Sequence, residues 1–382
     1  MKKIMLATLF VVTVFFAQSQ RAVPTDNPLR DWMDTIVQNA VLPFMQDTSR
    51  VGLSIGIVNN GNSYFYNYGT LEKGTRKLPT NETIYEIGSV SKTFTGLLLA
   101  HAIIDRKIKL DNDIGQYLHG RYPNLSYQGQ PIKIGHLVNH TSGLPPFLPH
   151  RPDLFQHAKD SVAFLLAKLH AAYTKALFLR DLHHVTLDTI PGFNYRYSNT
   201  AAQTLGFILE RVYNTRFEEL VKRYISDPLS MKQSPAFIRS PNTWLAKGHD
   251  AKGNIMPYMP ALMKASGGLC SSTSDMVRYI KLQLQEENKV VALSHMPTQR
   301  YTDSTAIGFF WRINRVNNKF DKLWHTGGTF GFSSYCVVYP DTKTGIILLS
   351  NEFDEASQGG LIQIADKIFA SACGTAGGIS PQ

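Results

Sequence analysis

Apolar residues recur at helical spacing near the start of the chain. Leu29, Trp32, Ile36, Val37, Ala40 and Val41 fall on one face and predict an amphipathic helix within 27–46. The run 51–58 is β-prone, and the turn Asn59-Asn60-Gly61-Asn62 leads into a second such run over 64–68. That is the pattern of a hairpin. Helical spacing then returns over 89–104, 134–139, 161–179, 200–213, 217–224 and 274–285. Strand signals resume at 307–313, 323–326, 332–339 and 345–349, and 359–370 closes the chain as a helix.

Short links between the strands make an antiparallel sheet. The elements predict an α/β (α+β) architecture. One sheet is built from both chain ends and flanked by the terminal helices, with a mostly helical lobe inserted between its two parts. The sheet lobe is expected over 20–88 plus 300–373 and the helical lobe over 89–299, with a frayed tail at 374–382. A cleft between two lobes is the natural place for a site.

The first nineteen residues stand apart from this pattern. Lys2 and Lys3 precede an apolar stretch over 4–16, too short to span a bilayer, and Ala17-Gln18-Ser19 is a small-x-small cleavage site. Residues 1–19 therefore read as an export leader, and the expected location is the periplasm. No cysteine follows the apolar stretch, which argues against a lipid anchor, and no later run predicts a stable membrane span. The formal charge is +10, or +8 once Lys2 and Lys3 are removed. The bases are scattered, so they suit a solvated surface and give a nucleic-acid partner no support. Cys270, Cys336 and Cys373 show no metal-ligand spacing. His183 and His184 are adjacent and point apart in regular structure, so they read as a surface pair rather than a metal site.

Three short motifs carry chemistry. Ser89-Val90-Ser91-Lys92 puts a hydroxyl and an amine one helical turn apart, and Ser89 is the only serine with a lysine three residues later. A serine hydroxyl needs a neighbouring base to become a nucleophile. Alone, the string equally describes a first-turn serine beside a solvated lysine. Tyr197-Ser198-Asn199 opens a strong helix after Pro191-Gly192. Tyr122-Pro123-Asn124 fits the same Y-x-N string, so context selects Tyr197. Its plainer reading is a buried aromatic with Asn199 as helix N-cap. Trp324-His325-Thr326-Gly327-Gly328 is a strand or bulge, and glycine in a strand often marks close approach of a backbone or ligand; its plainer reading is a glycine-rich turn before a hairpin strand, with His325 structural.

In this order the motifs resemble the serine β-lactamase and penicillin-binding protein superfamily, whose pattern is S-x-x-K, S-D-N and K-T-G. Here the second is Y-x-N and the third H-T-G, which looks like the class C branch with its D,D-carboxypeptidases, D-aminopeptidases and esterases. The stretches 137–144, 227–232 and 267–276 fit that branch as well, so the resemblance spans about 50–370.

The resemblance implies acyl transfer through a covalent intermediate on Ser89, with no metal or other cofactor. Lys92 and Tyr197 share the proton work, and a nearby ammonium is expected to lower the Tyr197 pKa. Which of the two is the formal base stays open. The backbone N–H groups of Ser89 and Gly328 are carried over as the oxyanion hole, at the favourable end of a helix dipole. Asn199 is expected to hydrogen-bond Lys92 or the substrate amide. His325, Thr326 and Gly327 line the substrate edge, and His140 is structural. Many relatives carry lysine at the His325 position. Histidine titrates near neutrality, so carboxylate binding through it should weaken as pH rises. The leading expectation is a D,D-carboxypeptidase or endopeptidase acting on peptidoglycan peptides and acylated by β-lactams. A class C β-lactamase comes second. An esterase or D-amino-acid amidase, with the apolar stretch 161–179 walling a lipophilic pocket, comes third. A penicilloylated sensor without turnover is the remaining alternative.

Overall fold

The computed structural model describes residues 22–234, 244–316 and 319–376, and the expected leader lies outside them. Helix α1 (Trp32–Met45) starts at Asp31, whose carboxylate accepts the Asp34 N–H in a capping box, and it buries Met33, Val37, Ala40 and Val41. Strands β1 (Gly52–Asn59) and β2 (Asn62–Gly69) form the predicted hairpin. Asn60 and Gly61 both have positive φ, as the two-residue type I′ turn requires.

The remaining strands of the sheet come from the other chain end. They are β3 (Gln299–Thr302), β4 (Thr305–Gly308), β5 (Trp311–Val316), β6 (Phe320–Gly328), β7 (Ser333–Tyr339) and β8 (Thr344–Ser350). The order is β2-β1-β8-β7-β6-β5-β4-β3, antiparallel throughout. Pairing of Leu53–Asn59 with Thr344–Ser350 welds the two chain ends together. Both faces of the central strands are covered, which is why β7 and β8 read as continuous rather than alternating apolar runs.

On one face α1 and the C-terminal helix pack against Ile55, Ile57, Val337 and Leu348. That last helix spans Ser357–Ala376, so the expected tail boundary at 374 falls inside its final turn. The other face carries the helical part: α2 (Ser91–Ile104), α3 (Lys159–Ala171), α4 (Lys175–Leu182), α5 (Asn199–Tyr213) and α6 (Thr273–Gln283). Among the described residues no single helix is long and apolar enough to cross a membrane.

Two expected elements are broken. The helix over 161–179 is two helices, α3 and α4, meeting at 99°. Thr174 starts the second by accepting the Leu177 N–H, and Tyr173 turns inward instead of continuing the helix. The strand over 307–313 is a hairpin. Phe309 and Phe310 form its two-residue turn, both at positive φ. Bulky residues there are strained. The compensation is burial: neither Phe has exposed surface, and the Phe310 N–H donates to the Val138 carbonyl at 3.2 Å.

The turn is driven against α2 at Gly96, where a Cβ would stand 2.1 Å from the Phe309 carbonyl oxygen. Gly96→Ala should therefore destabilise the protein by about 1–3 kcal/mol through overpacking, outweighing the ~1 kcal/mol that alanine returns in helix propensity. A urea midpoint equal to or above that of the wild type would contradict this contact.

Candidate active site

The nucleophile candidate sits at a junction. Gly88–Val90 form a 3₁₀ turn, and α2 begins at Ser91 rather than Ser89. Gly88 holds positive φ, and a Cβ on it would meet the Gly328 nitrogen at 2.6 Å. A Cβ on Gly327 would meet the Ile87 carbonyl oxygen at 2.1 Å. Glycines on both sides let the nucleophile turn lie directly on the end of β6. This backbone contact brings Ser89 and Gly328 into one cleft.

Lys92 is entirely buried. Its Nζ lies 3.0 Å from Ser89 Oγ and 2.7 Å from Asn199 Oδ1, and it also donates to the Ser266 carbonyl. No carboxylate joins them among the described ion pairs. Burial alone drives the Lys92 pKa well below its usual value. A neutral amine has two N–H donors and one lone pair. The Asn199 and Ser266 oxygens take the two donors, so the lone pair is left facing the Ser89 hydroxyl. The arrangement can take the serine proton.

Tyr197 O–H donates to Ser89 Oγ at 2.7 Å, and its ring centroid is 4.9 Å from Lys92 Nζ. Its pKa is raised by burial, only partly offset by the Ser89 hydrogen bond. The expected lowering of the Tyr197 pKa is thus corrected: the ammonium that was to cause it is itself disfavoured by burial. A protonated phenol here is a donor rather than a base.

Helix α5 fixes Tyr197 and Asn199. Ser198, not Asn199, is the N-cap, accepting the Ala201 N–H at 2.9 Å. That frees the Asn199 side chain for Lys92. The Ser198 hydroxyl donates to the Pro145 carbonyl, and the Asn199 N–H to the Pro146 carbonyl. His140 accepts the Ser198 N–H through Nδ1, and its ring lies 4.4 Å from that of Tyr197.

His325 is 2 % exposed, and its Nδ1 is 2.5 Å from the Thr326 carbonyl oxygen. Burial, with Lys92 and Arg312 nearby, lowers its pKa to about 3. The expectation of an imidazolium that fades as pH rises through neutrality is overturned, because the ring is already neutral there. The fixed cation at the cleft is Arg312, which was not anticipated. It lines the same cavity of about 340 Å³ as Ser89, Tyr197, Asn199, His325, Thr326 and Gly328.

Arg312 lay hidden inside what reads as an unbroken strand. The Ser266 carbonyl was also missed, since a backbone oxygen has no sequence signature; the only pointer was the Gly267-Gly268 pair beside it. Glu86 is a third omission. It is buried, its carboxyl is pushed up to about 7, and its Oε1 accepts the N–H of Met259, which also lines the cleft.

Other candidates fall elsewhere. Nothing from α3 or α4 lines this cleft; Leu169, Tyr173 and Leu177 wall a separate cavity of about 690 Å³. The lipophilic wall expected from 161–179 is therefore absent from the nucleophile's surroundings. The His183 ring stacks on Tyr122 at 3.8 Å. Among the described residues there is no cluster of metal-ligating side chains.

The chain is 26% identical over 364 residues to a β-lactamase of Pseudomonas fluorescens, covering 83% of this chain and 93% of that one. It is 27% identical over 345 residues to protein flp of Staphylococcus aureus (strain MRSA252), covering 85% of this chain and 63% of the longer relative. Among solved structures, a β-lactamase/D-alanine carboxypeptidase from Yersinia pestis complexed with citrate superposes with a TM-score of 0.74 at 20% identity, covering 89% and 99% of the two chains. A class C β-lactamase gives 0.73 at 22% identity, covering 89% and 96%. These two likenesses speak to the fold. The β-lactamase family model matches residues 37–367, and the chain is a serine hydrolase of the β-lactamase family.

Proposed function

We propose that the protein is an exported serine peptidase of the D,D-carboxypeptidase type, acting on the carboxylate-terminated stem peptides of peptidoglycan and acylated by β-lactams. The observation that carries the chemistry is Lys92, a buried amine whose Nζ reaches the Asn199 and Ser266 oxygens and lies 3.0 Å from Ser89 Oγ. Ser89 Oγ attacks the carbonyl as Lys92 takes its proton. The N–H groups of Ser89 and Gly328 receive the developing oxyanion. Tyr197, held neutral, donates to the departing nitrogen and recovers a proton from Lys92, which had taken it from Ser89. Asn199 keeps the amine oriented, and Thr326, Gly327 and the neutral His325 form the edge along which the substrate lies. Arg312 supplies the charge for a terminal carboxylate. Water then releases the acyl group.

The Yersinia pestis neighbour, described as a β-lactamase/D-alanine carboxypeptidase, supports the peptidase reading. The Pseudomonas fluorescens relative, described as a β-lactamase, favours the second reading, a class C-type β-lactamase. Both share acylation and differ in how fast water frees Ser89. Export rests on the leader at 1–19, with the periplasm as destination.

Incubating the mature protein with purified muropeptides and nitrocefin in parallel, with mass-spectrometric product analysis, tests the choice. Release of a terminal D-alanine with slow nitrocefin turnover is expected; nitrocefin turnover of tens per second without muropeptide cleavage would reverse the order. Ser89→Ala should abolish labelling by a fluorescent penicillin, and normal labelling would remove the assigned nucleophile. Lys92→Met should slow acylation by about 10²–10⁴-fold, the range for a lost proton-transfer group, while Tyr197→Phe should slow it less and show its main loss with poor leaving groups. Because His325 is neutral above about pH 3, wild type and His325→Gln should show the same pH dependence of KM for a carboxylate substrate. A KM that climbs through neutrality in the wild type alone would restore a charged imidazole.

A further inference from the structure

A second cavity of about 310 Å³ shares one wall with the catalytic cleft, and that wall is Arg312. Residues two apart on a strand face the same way, so Thr326 and Trp324 of β6 share a face. Arg312 pairs with Trp324 across β5–β6 and with Ile307 across β4–β5. One face of the sheet therefore runs from Thr326, at the cleft, through Trp324 and Arg312 to Ile307.

Arg312 is mounted on aromatic groups. Its guanidinium carbon is 5.1 Å from the Trp324 ring centroid, and Nη2 donates to the Tyr195 hydroxyl at 3.3 Å. Among the described residues no carboxylate pairs with it. Tyr195 and Tyr301 stand edge to face at 5.5 Å and close the far side, each more than two-fifths exposed. The pocket thus offers three aromatic walls, an aliphatic floor and one free cation at its mouth.

We infer that this pocket is a subsite for an aromatic side chain on the carboxylate-bearing residue that leaves during acylation. It rests on the proposed reading that Arg312 receives the substrate carboxylate. In such a residue the carboxylate and the side chain branch from the same carbon. Seating the carboxylate on Arg312 delivers the side chain across the guanidinium into the pocket. A cavity of ~150 Å³ holds a benzene ring, so one ring fits here with room for its methylene. The methyl of a terminal alanine leaves the aromatic walls uncovered. The chemical step is unchanged: the Ser89 Oγ–acyl bond forms, the scissile bond to nitrogen or oxygen breaks, and the leaving atom takes the Tyr197 proton, which the serine proton held on Lys92 replaces.

The test uses N-acylglycyl esters of phenyllactate and lactate, both enantiomers of each, with the matching peptides ending in phenylalanine and alanine. The better phenyllactyl enantiomer should exceed the lactyl ester by about tenfold in kcat/KM, the scale of an aromatic contact. Tyr301→Ala should cut that ratio by about three- to tenfold, and Thr305→Trp, which fills the pocket, should bring it to about one. A wild-type ratio at or below one overturns the subsite, as does a ratio that survives both substitutions. Discrimination among esters with no peptide cleavage upholds the subsite and removes only the peptidase reading. Peptide cleavage without discrimination removes the subsite alone. If neither ester turns over, the two peptides are compared by how well each protects Ser89 from fluorescent penicillin. Stronger protection by the phenylalanine peptide then upholds the subsite, and equal or weaker protection overturns it.

Discussion

Desolvation of a single amine governs this site. Lys92 has no exposed surface and, among the described residues, no counter-charge, so its ammonium form bears the cost of burial without the return that an ion pair would give. The neutral form has no such cost and needs only two acceptors, which the Asn199 side chain and the Ser266 backbone provide. A carboxylate in place of either would pin the proton on Lys92 and disarm it. Much of the local structure serves to keep such a group away while leaving no N–H unsatisfied. Ser198 takes the cap of α5, so Asn199 is free. The chain doubles back through Gly267-Gly268, so a carbonyl faces the amine.

The same low-polarity surroundings set the other groups. Tyr197 stays protonated and His325 stays neutral because neither charged form is solvated. Positive charge is thereby moved out of the reacting core to Arg312, at the edge where the cleft opens. In the proposed reading anion attraction and proton abstraction fall to different residues, and each is free of the other's titration. A lysine at position 325 would merge the two, putting a second cation beside an amine that must remain uncharged.

The sequence revealed the parts whose chemistry lies in side-chain identity and spacing. Ser89 and Lys92 meet because three residues span a helical turn, and the β1–β2 hairpin forms because Asn-Gly satisfies its turn. What it concealed depends on tertiary context. His325 looks titratable until burial is known. Ser266 contributes a carbonyl that every residue possesses. Phe309-Phe310 reads as strand, because bulky apolar residues seldom occupy a left-handed turn, and their burial against α2 overrides that preference. The stretch 161–179 is likewise apolar on more than half of its surface, so its periodicity carries no sign of the corner at Tyr173–Thr174.

The Phe309–Phe310 turn also bears on mechanics. It belongs to the sheet, yet its tip is wedged against Gly96, within the helix that carries Lys92, and beside Val138. A jaw-like parting of this end of the sheet from the helices packed on it would have to withdraw two aromatic rings from a dry interior and release a strained backbone at the same moment. The cleft is therefore clasped rather than hinged. Phe147, Met259 and Phe353 line the same cleft, so a substrate reaching Ser89 passes these side chains along a path that such a clasp holds open without a parting of the sheet from its helices.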